Sequence, residues 1–152
     1  MKTTGNTILV TGGGSGIGLA LAQRWHDAGN KVVVTGRNAA KLEAAIAGRP
    51  NMAAVALVAK FPSLNVLVNN AGIMNAEDAS TKRDLSQAEA TVVTNILGPI
   101  RLIDALVDHL AAQDGAAIVN VTSGLAFVPF PKAPTYSATK AAIHSYSVAL
   151  RI

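Results

Sequence analysis

The stretch that decides the fold is TGGGSGIG at residues 11–18. It follows an apolar run at residues 7–11 that predicts a strand, and it leads into a helical pattern over residues 17–28. Glycines allow positive φ and close backbone approach, and the first turn of a helix offers free N–H groups to a pyrophosphate. A strand before and a helix after favour a dinucleotide-binding loop over a flexible turn. The expected cofactor contacts here are Gly12, Gly14, Ser15, Gly16, Ile17 and Gly18.

Strands and helices alternate through the rest of the chain. Further strands are predicted at residues 31–35, 53–57, 65–70 and 117–121, and further helices at about 38–48, 86–112 and 134–152. Residues 32–34 and 66–68 are apolar on both faces, as a parallel sheet covered by helices requires. The sequence therefore predicts an α/β fold with a doubly wound parallel sheet, of the three-layer Rossmann type. We expect a single, incomplete nucleotide-binding domain over residues 1–152.

Two features predict that residues are missing from this domain. Only seven residues separate the strand ending at Leu57 from the strand beginning at Asn65. These strands would stand about 14 Å apart, and a parallel crossover must also run back about 17 Å, whereas seven residues reach at most about 25 Å. We therefore expect a gap near residues 57–60, where a crossover helix would normally lie. The last helical pattern reaches Ile152 without a stop signal, which predicts truncation at the C-terminus.

The composition narrows the class of protein. Half of the 152 residues are hydrophobic and 14% are charged, which excludes a disordered chain. The absence of cysteine excludes disulfides and thiolate metal sites and predicts a cytoplasmic protein. The three histidines are isolated, so no metal site is expected. The net charge of +4 comes from scattered lysines and arginines, so nucleic acid is not an expected partner. The start of the chain, residues 1–10, is neither a signal peptide nor a membrane span, and no membrane partner is expected.

The residue about 20 positions beyond the glycine-rich stretch bears on the cofactor. An acidic residue there accepts the ribose 2′-hydroxyl of NAD, whereas an arginine suits the 2′-phosphate of NADP. Counted from Gly16, the chain has Gly36 and then Arg37, with no acidic residue before Glu43. Arg37 is therefore an expected cofactor contact, although it could also be a solvated side chain at a strand end. NADP is favoured over NAD.

Tyr136 and Lys140 are four residues apart on the last predicted helix and therefore share a face. Moving a phenol from its usual pKa near 10 to neutral pH requires about 4 kcal/mol in favour of phenolate. An ammonium group 5 Å away contributes about 3 kcal/mol at an effective dielectric of 20. The pair could therefore donate and accept a proton near neutral pH. An exposed tyrosine beside a solvated lysine is the alternative when the pair is taken alone.

Pro99 predicts a kink in the long helix over residues 86–112. Proline has no N–H and its ring clashes with the carbonyl four residues earlier, which here belongs to Asn95. A main-chain acceptor released at Asn95 could hold a water molecule that relays protons. An ordinary proline kink is the alternative.

The order and spacing of these motifs resemble the short-chain dehydrogenase/reductase family. The chain shares with that family TGGGSGIG at 11–18, NNAG at 69–72, Asn95, Ser123 and YSATK at 136–140, over nearly its whole length. The stretch VTSGLAFVP resembles the DltE-like branch. The resemblance implies that Tyr136 exchanges a proton with the carbonyl oxygen, Ser123 polarises that oxygen, and Lys140 binds the nicotinamide ribose and acidifies Tyr136. It also implies that Asn95 holds the relay water and that Asn70, Ala71 and Gly72 lie against the adenosine.

The expected activity is hydride transfer between NADP(H) and a small carbonyl or secondary alcohol substrate. The alternative is a non-catalytic nucleotide-binding or sensor protein on the same scaffold. Thr122 could replace Ser123, and residues 127–130 could form either an apolar substrate wall or core. Apolar positions at 96, 100, 103, 106 and 110, and at 143, 146 and 150, could belong to a homodimer or homotetramer interface, as in the family, or to the core.

Overall fold

The computed structural model describes residues 2–36, 41, 52–54 and 61–151. Its contacts divide the chain into two compact units. The first unit comprises Met1–Ala71 and Ala105–Val119, and the second comprises Gly72–Asp104 and Asn120–Ile152.

A parallel sheet forms the centre of the first unit. Its strands are β1 (Thr7–Thr11), β2 (Lys31–Thr35), β3 (Met52–Ala54), β4 (Leu64–Asn69) and β5 (Ala117–Asn120), in the order β3-β2-β1-β4-β5. The strand β1 pairs in parallel with both β2 and β4, and β2 pairs in parallel with β3. Helix α1 (Gly16–Asp27) connects β1 to β2. These are the first five strands of the 3-2-1-4-5-6 order of a dinucleotide-binding fold, and the predicted doubly wound parallel sheet is confirmed.

Strands β2 and β4 are buried on both faces, as their sequences predict. The alternating positions Ile8 and Val10 of β1 are fully buried, and so are Val32 and Val34 of β2. In β4 three consecutive residues, Val66 to Val68, have no exposed surface. Each such aliphatic side chain contributes about 1.5–3 kcal/mol to folding when it is removed from water. Continuous apolar strands therefore hold the sheet in place and fix where its carboxyl ends lie.

The end of α1 is tied back to the start of β1. Gly29 adopts a φ of +85° and its N–H donates to the His26 carbonyl, which ends the helix. The next residue, Asn30, is fully buried and its amide donates to the Trp25 carbonyl at 2.9 Å. Its side-chain oxygen accepts the Asn6 N–H at 3.0 Å. This buried amide satisfies main-chain groups of both elements and sets how α1 returns to the sheet.

Helices dominate the second unit. They are α2 (Ser86–Val92), a π-helical segment (Val93–Leu97), α3 (Gly98–Ala111, which continues past Asp104), a 3₁₀ helix (Gly124–Ala126) and α4 (Pro134–Ala149). At Asn95 the structure has this π-helical segment in place of the predicted kink. Within it, the Gly98 N–H donates to the Val93 carbonyl, five residues earlier. The physical cause is the predicted one, because Pro99 offers no N–H to Asn95 and the ladder must be interrupted there.

Other boundaries differ from the sequence-based expectation. The last helix ends at Ala149 and not at the predicted residue 152. Leu150 is its C-cap, and the Arg151 N–H donates to the Val148 carbonyl, three residues earlier, so the regular i→i−4 ladder stops there. The third strand is described over Met52–Ala54, and its predicted continuation at 55–57 lies outside the described residues. The helix expected at 38–48 also lies outside them, except for Lys41.

The apolar stripe of the long helix belongs mainly to the core. Ile103, Leu106, Leu110 and, on α4, Ile143 are at most 4% exposed, so core packing accounts for these positions. Within the described part of the chain, the continuous helical stretch Ser86–Ala111 is long and apolar enough to cross a membrane by length and composition alone. Its best window has a mean hydropathy of 1.5 and is 28% buried, and core helices of soluble proteins pass the same test.

Candidate active site

The glycine-rich loop of the first unit is shaped so that side chains would obstruct it. Gly12 has a φ of +66°, and a Cβ there would lie 3.1 Å from the Ala71 Cα. A Cβ at Gly18 would come within 2.5 Å of the Gly12 carbonyl oxygen and would overlap the Asn70 amide nitrogen. Gly12 therefore favours glycine because of its positive φ, and Gly18 because a Cβ cannot approach backbone atoms so closely unless the loop shifts.

The start of α1 is free to receive an anion. Its N-cap is Ser15, which is extended and makes no side-chain cap hydrogen bond with any residue that the structure describes. The first turn carries no acidic side chain, and Gly16 has open space where its Cβ would stand. The N–H groups and the partial positive charge at the start of a twelve-residue helix therefore suit a pyrophosphate. The shape of the loop and the chemistry of the helix start both fit a dinucleotide.

Thr11 holds this loop against the NNAG segment, a role that the sequence analysis missed. Its hydroxyl accepts the N–H groups of Asn70 and Ala71, both at 3.0 Å, and donates to the Val68 carbonyl at 3.3 Å. The Asn70 side chain in turn donates to the Thr11 carbonyl at 2.9 Å. The structure thus brings Asn70 and Ala71 to the glycine-rich loop. The sequence signal for this role is the position of Thr11, which ends β1 and directly precedes the glycines.

Two of the predicted cofactor contacts, Arg37 and Gly72, stay predictions. Arg37 falls outside the described residues, so its sequence-based prediction stands without a structural description. Gly72 is exposed and begins the second unit.

Lys140 is the central charged group of the second unit. It lies on α4, is 5% exposed, and its ammonium group donates to the Val121 carbonyl at 2.7 Å. The Nζ atom lies 5.6 Å from the centroid of the Tyr136 ring, one helical turn earlier. Burial lowers the pKa of the Lys140 ammonium, because desolvation penalises the charged form. The two side chains therefore share a face of α4, as their spacing predicts.

Hydroxyl groups link α4 to the end of β5. The Thr122 hydroxyl donates to the main-chain carbonyl of Lys140 at 3.1 Å, so it is engaged by the helix. Ser123 caps the short 3₁₀ helix, and its Oγ accepts the Leu125 N–H at 3.2 Å. That bond uses Ser123 as an acceptor and leaves its hydroxyl proton available to donate. Of the two candidates, Ser123 is the one whose geometry suits donation to a substrate oxygen.

Asn95 connects the π-helical segment to α4 and to the loop after β4. This side chain is 2% exposed; its Oδ1 accepts the Ile73 N–H and its Nδ2 donates to the Ile73 carbonyl, both at 2.9 Å. The same Nδ2 donates to the Thr139 hydroxyl at 3.1 Å, and that hydroxyl donates to the Tyr136 carbonyl at 2.7 Å. The side chain of Asn95 is therefore structural, and only its main-chain carbonyl is a candidate for holding water. Thr139 was missed from the sequence.

The apolar loop after Ser123 lies on another face of α4. Pro129 and Phe130 line a cavity of about 290 Å³ together with Ser137, Ala138 and Ala141. At 100° per residue these helical positions face away from Tyr136 and Lys140. Phe127, Val128 and Phe130 are 64%, 73% and 41% exposed, so this stretch is not core, and its part in a substrate wall stays a prediction. In the described part of the chain, no group of three His, Cys, Asp or Glu side chains could hold a metal ion.

Comparison with known proteins identifies the family. The family model for short chain dehydrogenases matches residues 6–56 and 49–152. The chain belongs to the short-chain dehydrogenase family. It is 41% identical to the oxidoreductase DltE of Bacillus subtilis, which confirms the predicted resemblance to the DltE-like branch; the match covers 99% of this chain and 66% of that protein.

Two further comparisons agree with this assignment. A probable NADP-dependent dehydrogenase of Haemophilus influenzae is 30% identical over 99% of this chain and 66% of its own length. The crystal structure of a 3-ketoacyl-(acyl-carrier-protein) reductase from Brucella melitensis, complexed with NADH, superposes with a TM-score of 0.89 at 29% identity, and covers 98% of this chain and 70% of that one. The Rossmann-type fold class is thereby confirmed.

The chain spans about two thirds of the length of these curated relatives. The alignment with DltE runs over 167 positions, more than the 152 residues present here, so DltE has residues without a counterpart inside this chain. The two segments that the family model matches overlap at residues 49–56, immediately before the predicted gap at 57–60.

Proposed function

We propose that this protein is an NADP-dependent oxidoreductase that interconverts a small carbonyl compound and its secondary alcohol. The observation that carries the proposal is the pairing of Tyr136 with a buried Lys140 ammonium group 5.6 Å from its ring. Membership of the short-chain dehydrogenase family supports an oxidoreductase. The single nucleotide-binding domain over residues 1–152 remains part of the proposal.

The first unit would bind the dinucleotide through the loop after β1. The residues that would hold it are Gly12, Gly14, Ser15, Gly16, Ile17 and Gly18, with Asn70, Ala71 and Gly72 on the adenosine side. The uncapped start of α1 would receive the pyrophosphate. Arg37 would bind the 2′-phosphate, which favours NADP over NAD. An NADP-dependent relative supports this choice, although a structural relative was solved with NADH.

The second unit would carry the proton chemistry. The bound nicotinamide supplies or takes up the hydride. Tyr136 would donate a proton to the substrate oxygen during reduction and accept it during oxidation, and the Ser123 hydroxyl would polarise the same oxygen. The Lys140 ammonium, 5.6 Å from the centroid of the Tyr136 ring, would bind the nicotinamide ribose. A water molecule on the Asn95 carbonyl would return the proton to solvent.

The decisive test uses the two tyrosines of the chain. Oxidation of NADPH, followed by its absorbance, should occur with members of a panel of aldehydes, ketones and ketoacids. Tyr136→Phe should lower kcat by about 10²–10⁴-fold, the range of general acid–base catalysis. The matched variant Tyr146→Phe should retain activity. Equal rates for Tyr136→Phe and wild type would remove Tyr136 from the mechanism, and nucleotide binding without turnover of any substrate would favour the sensor alternative.

The coenzyme preference is tested separately at Arg37. Arg37→Ala should weaken NADPH binding by about tenfold or more, the value of a lost charge-assisted hydrogen bond, and should leave NADH binding unchanged. Fluorescence titration with both coenzymes measures this. Equal losses for the two coenzymes would contradict a contact with the 2′-phosphate.

Localisation and assembly are also proposals. The cysteine-free sequence suits the cytoplasm, and we propose a homodimer or homotetramer without nucleic-acid or membrane partners. Exposed apolar side chains on the segment from α2 to α3 support self-association.

A further inference from the structure

The start of α4 lacks a capping side chain of its own. The N-cap residue is Ala133, which has no side-chain oxygen, and Pro134 follows it. Tyr136 lies in the first turn, only three residues beyond this N-cap. The position of the proposed proton donor therefore depends on whatever satisfies the free N–H groups at this helix end.

Glu77, in the segment after β4, accepts hydrogen bonds from this helix end, although it lies 58 residues before Thr135 in the sequence. Its Oε1 accepts the Thr135 N–H at 3.1 Å and its Oε2 accepts the Thr135 hydroxyl at 2.6 Å. The Glu77 main-chain N–H also donates to the Lys132 carbonyl at 2.8 Å. Its side chain is only 7% exposed, so these bonds are made away from bulk water. A carboxylate at this position also complements the positive end of the helix dipole.

Arg83 holds the carboxylate in place. Its Nη2 lies 2.8 Å from the Glu77 Oε2, and its side chain is 27% exposed. The carboxylate therefore has a charged partner for the oxygen that also receives the Thr135 hydroxyl. An unpaired carboxylate buried here would be costly, and the ion pair with Arg83 offsets part of that cost.

Two anchors therefore flank the proposed catalytic pair on α4. Glu77 binds Thr135, the residue before Tyr136, and Asn95 binds Thr139, the residue before Lys140. Thr135 and Thr139 are one turn apart and share a face of the helix. Both anchors come from outside α4, and all of these residues belong to the second unit.

We propose that Glu77, paired with Arg83, is a positioning residue that fixes the first turn of α4 and thereby the orientation of Tyr136. This inference rests on the proposed function for its catalytic consequence. Its structural consequence, protection of the Thr135 amide, is independent of that function.

The first measurement is hydrogen exchange at the Thr135 amide in the full chain without coenzyme. Glu77→Ala removes the acceptor, and exchange at Thr135 should become about tenfold faster, the value of one such hydrogen bond. Asp84 offers a matched control, because its carboxylate binds the N–H and hydroxyl of Ser86 in the same way at the start of α2. Asp84→Asn should leave the Thr135 amide protected. Unchanged exchange in Glu77→Ala would overturn the proposal.

The second measurement separates positioning from a general loss of structure. In Glu77→Ala, kcat per coenzyme-binding site should fall about tenfold, whereas the Kd for NADPH should stay within about twofold, because only the proton donor is displaced. Asp84→Asn should keep the wild-type kcat. Unchanged kcat in Glu77→Ala, or an equal loss of NADPH binding, would contradict a positioning role.

Thr135 provides a second route if Glu77→Ala does not fold. Thr135→Ser keeps both groups that Glu77 binds and should retain kcat, whereas Thr135→Val loses the hydroxyl and should lower it. Equal kcat in these two variants would overturn the proposal. If wild type turns over no substrate, the proposed function fails, and the exchange measurement at Thr135 still decides whether Glu77 holds this turn.

Discussion

Lys140 is a buried cation whose partner is a neutral carbonyl, and this has a consequence for stability. Burial lowers the pKa of its ammonium group below 10.5. Between that lowered pKa and 10.5 the unfolded chain binds more protons than the folded chain, so the free energy of unfolding contributed by this group rises with pH. Relative to Lys140→Met, wild type should therefore gain stability as the pH is raised from neutral toward 10.5. Urea unfolding of both proteins along a pH series measures the difference.

All other titratable groups are shared by wild type and Lys140→Met, so their pH effects cancel in the difference between the two free energies of unfolding. A constant difference between the two proteins over the series would contradict a lowered pKa at Lys140. A difference that falls as the pH rises would give the opposite sign and would indicate that the folded protein prefers the charged form.

Gly18 is a second position where we expect a single substitution, which adds one Cβ atom, to lower stability and weaken NADPH binding. Gly18→Ala would place a Cβ against the Gly12 carbonyl and the Asn70 amide, so the loop must shift. We expect a loss of about 1–3 kcal/mol of stability, typical of overpacking, together with weaker NADPH binding. Gly98→Ala is the control, because among the described residues its Cβ would meet only the Val93 carbonyl oxygen, at an ordinary 3.5 Å. Urea unfolding and fluorescence titration test both variants, and a fully stable Gly18→Ala would refute the steric argument.

Among the elements, the π-helical segment connects Pro99 to the proposed proton relay through the Asn95 carbonyl. Pro99→Ala restores an N–H, so the Asn95 carbonyl can be drawn into an ordinary helical hydrogen bond. We expect stability to be retained or increased, because the helix ladder is completed, whereas kcat should fall several-fold as the relay water loses its acceptor. Thermal unfolding and steady-state kinetics measure the two effects. Retention of full kcat would show that the Asn95 carbonyl is not needed for proton return.

The helices and strands also show which parts of the fold and of the candidate site could be predicted from the sequence. Continuous apolar runs predicted the strands, because a strand covered on both faces needs no alternation, and the spacing of Tyr136 and Lys140 predicted their shared face. The presence of Pro99 located the irregularity, but propensity does not distinguish a kink from a π turn. Glu77 and Thr11 were missed because their hydrogen-bond partners Thr135, Asn70 and Ala71 are 58 to 60 residues away. Long-range hydrogen bonds of this kind leave no local pattern.

At the scale of the whole molecule, self-association should use a face that differs from the predicted stripe. Val92, Val93 and Leu97 are 37%, 45% and 36% exposed, whereas Ile103 and Leu106 are buried. Leu97→Glu should therefore reduce the oligomeric mass measured by light scattering and leave the helical signal intact. Met74→Glu, at another exposed apolar position, is the control. An unchanged mass for Leu97→Glu would place the interface elsewhere.

The central position of β1 has a consequence for biosynthesis. Its first residue pairs with Lys31 of β2 and with Leu64 of β4, so the second neighbour is synthesised well after the first. While the chain emerges from the ribosome, one side of β1 can be covered early, whereas its other edge stays open until β4 appears. An uncovered apolar edge is prone to pair with other chains, and such distant pairings form slowly. Yield in cells should therefore depend on translation speed and on chaperone supply.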